Sequence, residues 1–161
     1  MTASALSLLD AVATLRKGGV IAYPTEAVWG LGCNPFHIQA VERILMLKRR
    51  PAAKGMIVIA ADLSQVRQHL HWERLSDQQQ SAIQASWPGP NTWLIPCRTT
   101  VPEWLRGDHD TLAVRITNHP IAAALCRQFD GPIVSTSANR AGEPPARQHT
   151  ELDRDLLAET D

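Results

Sequence analysis

The stretch Thr111 to Asn139, TLAVRITNHPIAAALCRQFDGPIVSTSAN, decides the fold. Residues 111–116 are apolar and β-branched, and alternate residues of a strand share a face. Leu112, Val114 and Ile116 therefore point one way, and Thr111, Ala113, Arg115 and Thr117 the other. His119-Pro120 opens a helix that runs to about residue 129, since proline is well tolerated in a first helical turn. Gly131-Pro132 then leads into a second apolar strand over residues 133–136. A strand, a helix and a strand in succession mark an α/β protein whose sheet is covered by helices.

Working outward, the same alternation continues. Leu6, Leu9, Val12, Ala13 and Leu15 recur at nearly helical spacing, and Gly18-Gly19 stops that helix. A short strand over 20–23 ends at Pro24, and a loop over 25–35 follows with Gly30 and Gly32. Val41, Ile44 and Leu45 place a helix over 38–48, and a strand is predicted over 56–59. Residues 63–70 and 76–85 read as two short helices, and Trp87-Pro88-Gly89-Pro90 as a rigid turn before a strand at 92–95. Residues 150–157 read as helical. No composition break marks a second domain, so one domain over residues 1–161 is expected.

The bulk composition narrows the classes. A chain of 161 residues suits one core, and 44% hydrophobic with 20% charged residues excludes disorder. Formal net charge is zero, so nucleic acid or phosphate must be met by a local patch. Cys33, Cys97 and Cys126 form no CxxC pair, which argues against a disulfide framework or a zinc site and for buried, reduced thiols in a cytoplasmic protein. The first ten residues lack a basic region and do not read as a signal peptide. No apolar run approaches the ~18 residues of a membrane span, so no membrane association is expected.

Three clusters can carry chemistry. Lys48, Arg49, Arg50 and Lys54 lie at a helix end. They either complement the helix dipole in solvent or, with Pro51 directing the chain toward a strand, form a polyphosphate site at a sheet end. Arg115 is a lone cation in an apolar strand and needs an anionic partner if buried. That partner is either an internal Asp or Glu or a substrate carboxylate gripped by the guanidinium fork. Ser135-Thr136-Ser137-Ala138-Asn139 ends a strand in small polar residues, either as a turn or as a surface a ligand can approach closely. No GxxxxGK[ST] is present, which excludes a P-loop. Gly30-Leu31-Gly32 reads as a turn or closely packed backbone. His69 and His71 read as surface residues, and Trp87 and Trp104 as packing anchors.

In their order, these fragments resemble the YrdC-like family. The resemblance rests on residues 23–32 (YPTEAVWGLG), Lys48-Arg49-Arg50-Pro51 with Lys54-Gly55, residues 87–92 (WPGPNT), Leu112-Ala113-Val114-Arg115, and residues 135–139 (STSAN). It spans about residues 18–145, and the short bacterial members are the most similar. It implies a twisted sheet mixing parallel and antiparallel strands, packed with helices and bearing a concave, positively charged face. It also implies an enzyme that converts L-threonine, bicarbonate or CO2, and ATP with Mg²⁺ into threonylcarbamoyl-adenylate and diphosphate. A threonylcarbamoyl-transferase complex would then modify tRNA, with tRNA itself a further partner.

By position, the resemblance assigns ATP contacts to Lys48, Arg50, Lys54, Thr111, Ser137 and Asn139. It assigns threonine contacts to Arg115, Ser135 and Thr25. No covalent nucleophile and no metal ligand are implied; catalysis would be positioning and charge stabilisation, chiefly by Lys48 and Arg50. Two positions depart from the longer members: Ala27 stands for a threonine-binding Thr, and Ile59 for a ligand-binding His. The family continues beyond residue 161 with a further strand and substrate contacts, so a C-terminally short site is expected. A competing reading is a tRNA or double-stranded-RNA-binding module of the same fold with little catalysis. Another is a carbamoyl-transfer domain related to hydrogenase maturation factors, disfavoured by the absence of zinc-finger-like cysteines.

Overall fold

The alternation read over residues 111–139 is realised in space, in a computed structural model that describes residues 6–140 and 142–161. The first half contains α1 (Leu8–Arg16), β1 (Ile21–Tyr23), β2 (Gly30–Gly32), α2 (Ile38–Lys48), β3 (Ile57–Ala60) and α3 (Asp77–Ser86). After these come β4 (Trp93–Pro96), α4 (Glu103–Arg106), β5 (Thr111–Ile116) and α5 (Pro120–Phe129). The chain closes with β6 (Ile133–Val134), β7 (Thr136–Ser137) and α6 (Arg154–Ala158). The His119 ring accepts the Ile121 N–H (3.2 Å) to cap α5, with Pro120 in its first turn.

Four strands form a mixed sheet in the order β4-β5-β3-β6, with only β3 and β5 parallel. Three more form an antiparallel sheet in the order β1-β2-β7. The continuous strand expected at 133–136 is divided between them. Val134 pairs with Val58 in one sheet, and Thr136 with Leu31 in the other. Ser135 is the crossing point, its N–H donating to the Ile57 carbonyl (2.8 Å). The expected mixed sheet packed with helices is present, and the chain adds a second, antiparallel sheet that meets it at Ser135.

β2 was expected to be loop, because glycine weakens a strand interior. It forms because the Tyr23 ring lies over it. A Cβ on Gly32 would stand 2.5 Å from the Tyr23 ring and 2.7 Å from the Val134 carbonyl. Burial pushes the Tyr23 phenol far above its usual range, so the neutral hydroxyl donates to that carbonyl (3.0 Å). The helix expected at 63–70 is instead two 3-10 turns, Leu63–Gln65 and Arg67–His69. The Gln65 side chain accepts from Ala61 N (2.8 Å) and donates to the Cys126 carbonyl (3.0 Å), tertiary ties that local periodicity does not reveal.

The two faces of the four-stranded sheet have different fates. Leu112, Val114 and Ile116 join Val58, Ile95 and the Val41–Ile44–Leu45 face of α2 in the main core. On the opposite face, Ile59 and Ile133 are covered by α1 and α5 through Val12, Leu15, Ala122, Leu125 and Cys126. That cover stops short of Ile57, Ala113 and Leu94, which are neighbours across three strands. Leu94 is 71% exposed there. The sheet is thus covered at one end and open at the other.

Candidate active site

β5 runs from the open end to the covered end and carries Thr111, Ala113 and Arg115 on one face. At about 3.3 Å per residue, Thr111 and Arg115 stand roughly 13 Å apart. Around Thr111 the open sheet forms the floor of a cavity of about 320 Å³. Its lining includes Arg50, Lys54, Thr111, Arg106, His109 and Leu94. Three residues assigned to ATP by resemblance, Arg50, Lys54 and Thr111, therefore meet in one place. Arg50 is anchored through Nη2 to the Gly55 carbonyl (3.2 Å).

The cavity wall is made where the 52–55 turn packs against the exit of α4. The Met56 N–H donates to the Leu105 carbonyl (2.8 Å) and the Asp108 N–H to the Ala53 carbonyl (3.0 Å). Gly107 permits this contact at φ +64°, where a Cβ would lie 2.3 Å from the Ala53 carbonyl oxygen. Arg106 and His109 escaped the sequence reading because α4 is a single turn without a strong period. The Pro102 before it and the Gly107 after it were the available signals.

Arg115 sits where the covered end begins. It is 8% exposed, and its register partner on β3 is the fully buried Ile59. Nη2 donates to Ser135 Oγ at 3.4 Å, and Nε lies 3.0 Å from Glu26 Oε1. That pair is an ionic contact at an angle too poor for a hydrogen bond, so both atoms lack hydrogen-bond partners. Glu26 Oε2 accepts from Thr117 Oγ1 (2.5 Å) and from His119 N (3.2 Å). Of the two partners open to Arg115 in the sequence, the internal carboxylate is thus present and is Glu26. Three N–H donors remain on the guanidinium besides Nε–H and the Nη2 bond to Ser135. Thr25, in the same loop, donates its hydroxyl to the Val28 carbonyl (2.7 Å) and accepts from Ala27 N (3.2 Å). It shapes the turn that delivers Glu26.

Lys48 turns away from solvent and toward the strand that follows Ser135. It is not a solvated helix end, being 4% exposed, and its ammonium does not line the cavity around Arg50. Nζ donates to the carbonyls of Ser137 and Asn139, each at 2.6 Å. Burial, reinforced by the nearby charge of Arg50, pulls this ammonium down to about 8. Asn139 Nδ2 donates to the Glu143 carbonyl (2.6 Å) and the Arg140 carbonyl (3.1 Å). Lys48, Ser137 and Asn139 thus form one knot, while Ser135 belongs with Arg115. All three cysteines are buried, and burial pushes Cys33 and Cys126 up to about 12, so they stay protonated and inert.

These features find counterparts in known proteins. The chain belongs to the Sua5/YciO/YrdC family, whose model, described as telomere recombination, matches residues 13–161. It is 58% identical over 152 residues to a threonylcarbamoyl-AMP synthase of Stenotrophomonas maltophilia, covering 94% of this chain and 82% of that one. Among solved structures it resembles P. abyssi Sua5 complexed with L-threonine, at TM-score 0.88 and 30% identity. That match covers 98% of this chain and 47% of the other, so this chain spans about half the length of that protein. E. coli YciO matches at TM-score 0.75 and 29% identity, over 84% of this chain and 65% of that one.

Proposed function

We propose that this protein is a threonylcarbamoyl-AMP synthase, forming threonylcarbamoyl-adenylate and diphosphate from L-threonine, bicarbonate or CO2, and ATP. The observation that carries the reading is the shared face of β5. A cation-lined cavity around Thr111 lies along the same strand as Arg115, whose guanidinium donates to Ser135 from the neighbouring segment. The two sites are roughly 13 Å apart along that face, near enough for ligands bound in them to meet.

In this reading Arg50 and Lys54 meet the phosphates, with Arg106 and His109 beside them and Thr111 on the cavity floor. Mg²⁺ arrives as the counterion of the triphosphate. Arg115 and Ser135 hold the threonine carboxylate. The threonine amine combines with CO2 to give a carbamate. A carbamate oxygen then attacks the α-phosphorus, and the bond to the β-phosphate oxygen breaks to release diphosphate. The residues needed are positioners and charge stabilisers. Lys48 contributes by holding the Ser137–Asn139 backbone. Thr25 contributes through the turn carrying Glu26. Ile59 places apolar surface beside Arg115 where longer members are expected to have a histidine.

The product serves threonylcarbamoyladenosine formation in tRNA, handed on to a transferase complex in the cytoplasm. No helix among the described residues is long and apolar enough to cross a membrane. An RNA-binding module without catalysis is the weaker reading, because the close relative carries the name of a synthase. Incubating the protein with ATP and bicarbonate, with and without threonine, separates them. Diphosphate release that requires threonine is expected; tight RNA binding with no threonine-dependent release would overturn the proposal.

A further inference from the structure

We infer that Glu26 is a positioning residue of the amino-acid subsite, acting through Arg115 rather than on the substrate. The inference rests on the proposed function for the identity of the amino acid. It rests on this chain's own geometry for the role.

Glu26 is delivered by a loop, not by the sheet that carries Arg115. The turn closed by Thr25 presents it, and three contacts from β5 and the segment after it fix it. Thr117 Oγ1 and His119 N both donate to Oε2 (2.5 and 3.2 Å), leaving Oε1 to face Arg115 Nε at 3.0 Å. The two side chains are 13% and 10% exposed, and Oε1 itself is buried without a hydrogen-bond partner. A substrate therefore cannot reach this oxygen without displacing the loop. The carboxylate is instead spent on one edge of the guanidinium.

The consequence for Arg115 is directional. A guanidinium presents a rigid fork of donors, and an anion on its Nε side fixes the plane of the fork. With Nε facing Glu26 and Nη2 leaning on Ser135, the remaining Nη donors are held ready for a carboxylate. Glu26 also makes burial of the arginine tolerable, since an isolated cation at this depth would seek water. Without that anion the side chain would swing toward the open end of the sheet, where Ala113 and Thr111 leave room. The threonine site would then lose its anchor while the cation-lined cavity kept its own.

Glu26→Gln is the direct test, because the amide oxygen can still accept from Thr117 and His119. Titration calorimetry should show threonine affinity weakened by about tenfold or more, with ATP affinity within about twofold of the parent. Thr117→Val removes one of the two donors to Oε2 without touching Arg115, and a smaller loss in the same direction is expected. Glu26→Asp, which keeps the charge at shorter reach, should recover part of what Glu26→Gln loses. Tighter threonine binding in Glu26→Gln would overturn the inference by making Glu26 a competitor of the substrate. Unchanged threonine affinity, or equal losses for threonine and ATP, would overturn it by making the pair purely structural. If Glu26→Gln does not fold, Thr117→Val decides by the same criteria. A parent protein that binds threonine only with Arg115 intact sustains the proposed function whatever Glu26 does. A parent that binds no threonine removes both.

Discussion

The two ends of the β5 face differ in how their charges are satisfied. At the covered end, Arg115 is nearly enclosed and already has an internal anion and a hydroxyl. At the open end, Arg50 has a backbone carbonyl as its partner, and Lys54 is exposed on a turn beside the cavity. A charge paired inside the fold serves stability and binding together. A charge left facing a cavity serves binding almost alone. The comparison separates residues that a ligand merely uses from residues that the fold also needs.

Arg115→Ala should have the largest effect. It leaves the Glu26 carboxylate buried without its cation, a change that costs about 3–5 kcal/mol of stability. Threonine affinity should fall beyond detection, and ATP affinity much less. Thermal melting with calorimetry reads both quantities. Full stability in this variant would erase the distinction between the two ends.

Lys48→Ala sits between the extremes. Two carbonyls lose their donor, for a cost of about 2 kcal/mol by urea unfolding. ATP should bind about tenfold more weakly as the Ser137–Asn139 backbone loosens. The pH dependence has a definite sign. The folded ammonium, at about 8, lies below its ordinary value of 10.5, so the unfolded chain binds more protons between those values. The penalty for burying the charged lysine is present in full below about pH 8. It is relieved as pH rises toward about 10.5, so this residue makes stability climb across that window. Unfolding titrations of parent and variant should diverge there. Parallel curves would mean the ammonium is not buried in solution.

Arg50→Ala should move stability least, by under about 1 kcal/mol, because a partly exposed cation contributes little to folding. ATP affinity should still drop about tenfold, with threonine affinity unaffected. A melting temperature that falls as far as in Arg115→Ala would show that the open end is structural too.

Some of this was legible from residues alone. β5, α2 and α5 were placed at their observed bounds, because long or strongly patterned segments declare their period. Arg115 was marked by its charge in an apolar strand, and the cationic cluster after α2 by its density. β2 was not legible, since what stabilises two glycines in a strand is the Tyr23 ring from β1. Glu26 lies within the 23–32 motif without an assigned role, because an acidic residue in a loop looks solvated until the fold closes over it.

The sequence by itself determined the class of fold, the alternation of strands and helices, and the residue types from which an anion site could be made. It could do so because period, capping and charge density are local properties of the chain. Only the tertiary structure decided that the final strand divides at Ser135 between two sheets. Only it decided that Lys48 turns inward to backbone carbonyls, and that the anion answering Arg115 comes from Glu26, 89 positions earlier in the chain. Such pairings depend on which surfaces the fold brings together and closes to water. Burial then converts an ordinary loop carboxylate into the fixed partner of an arginine.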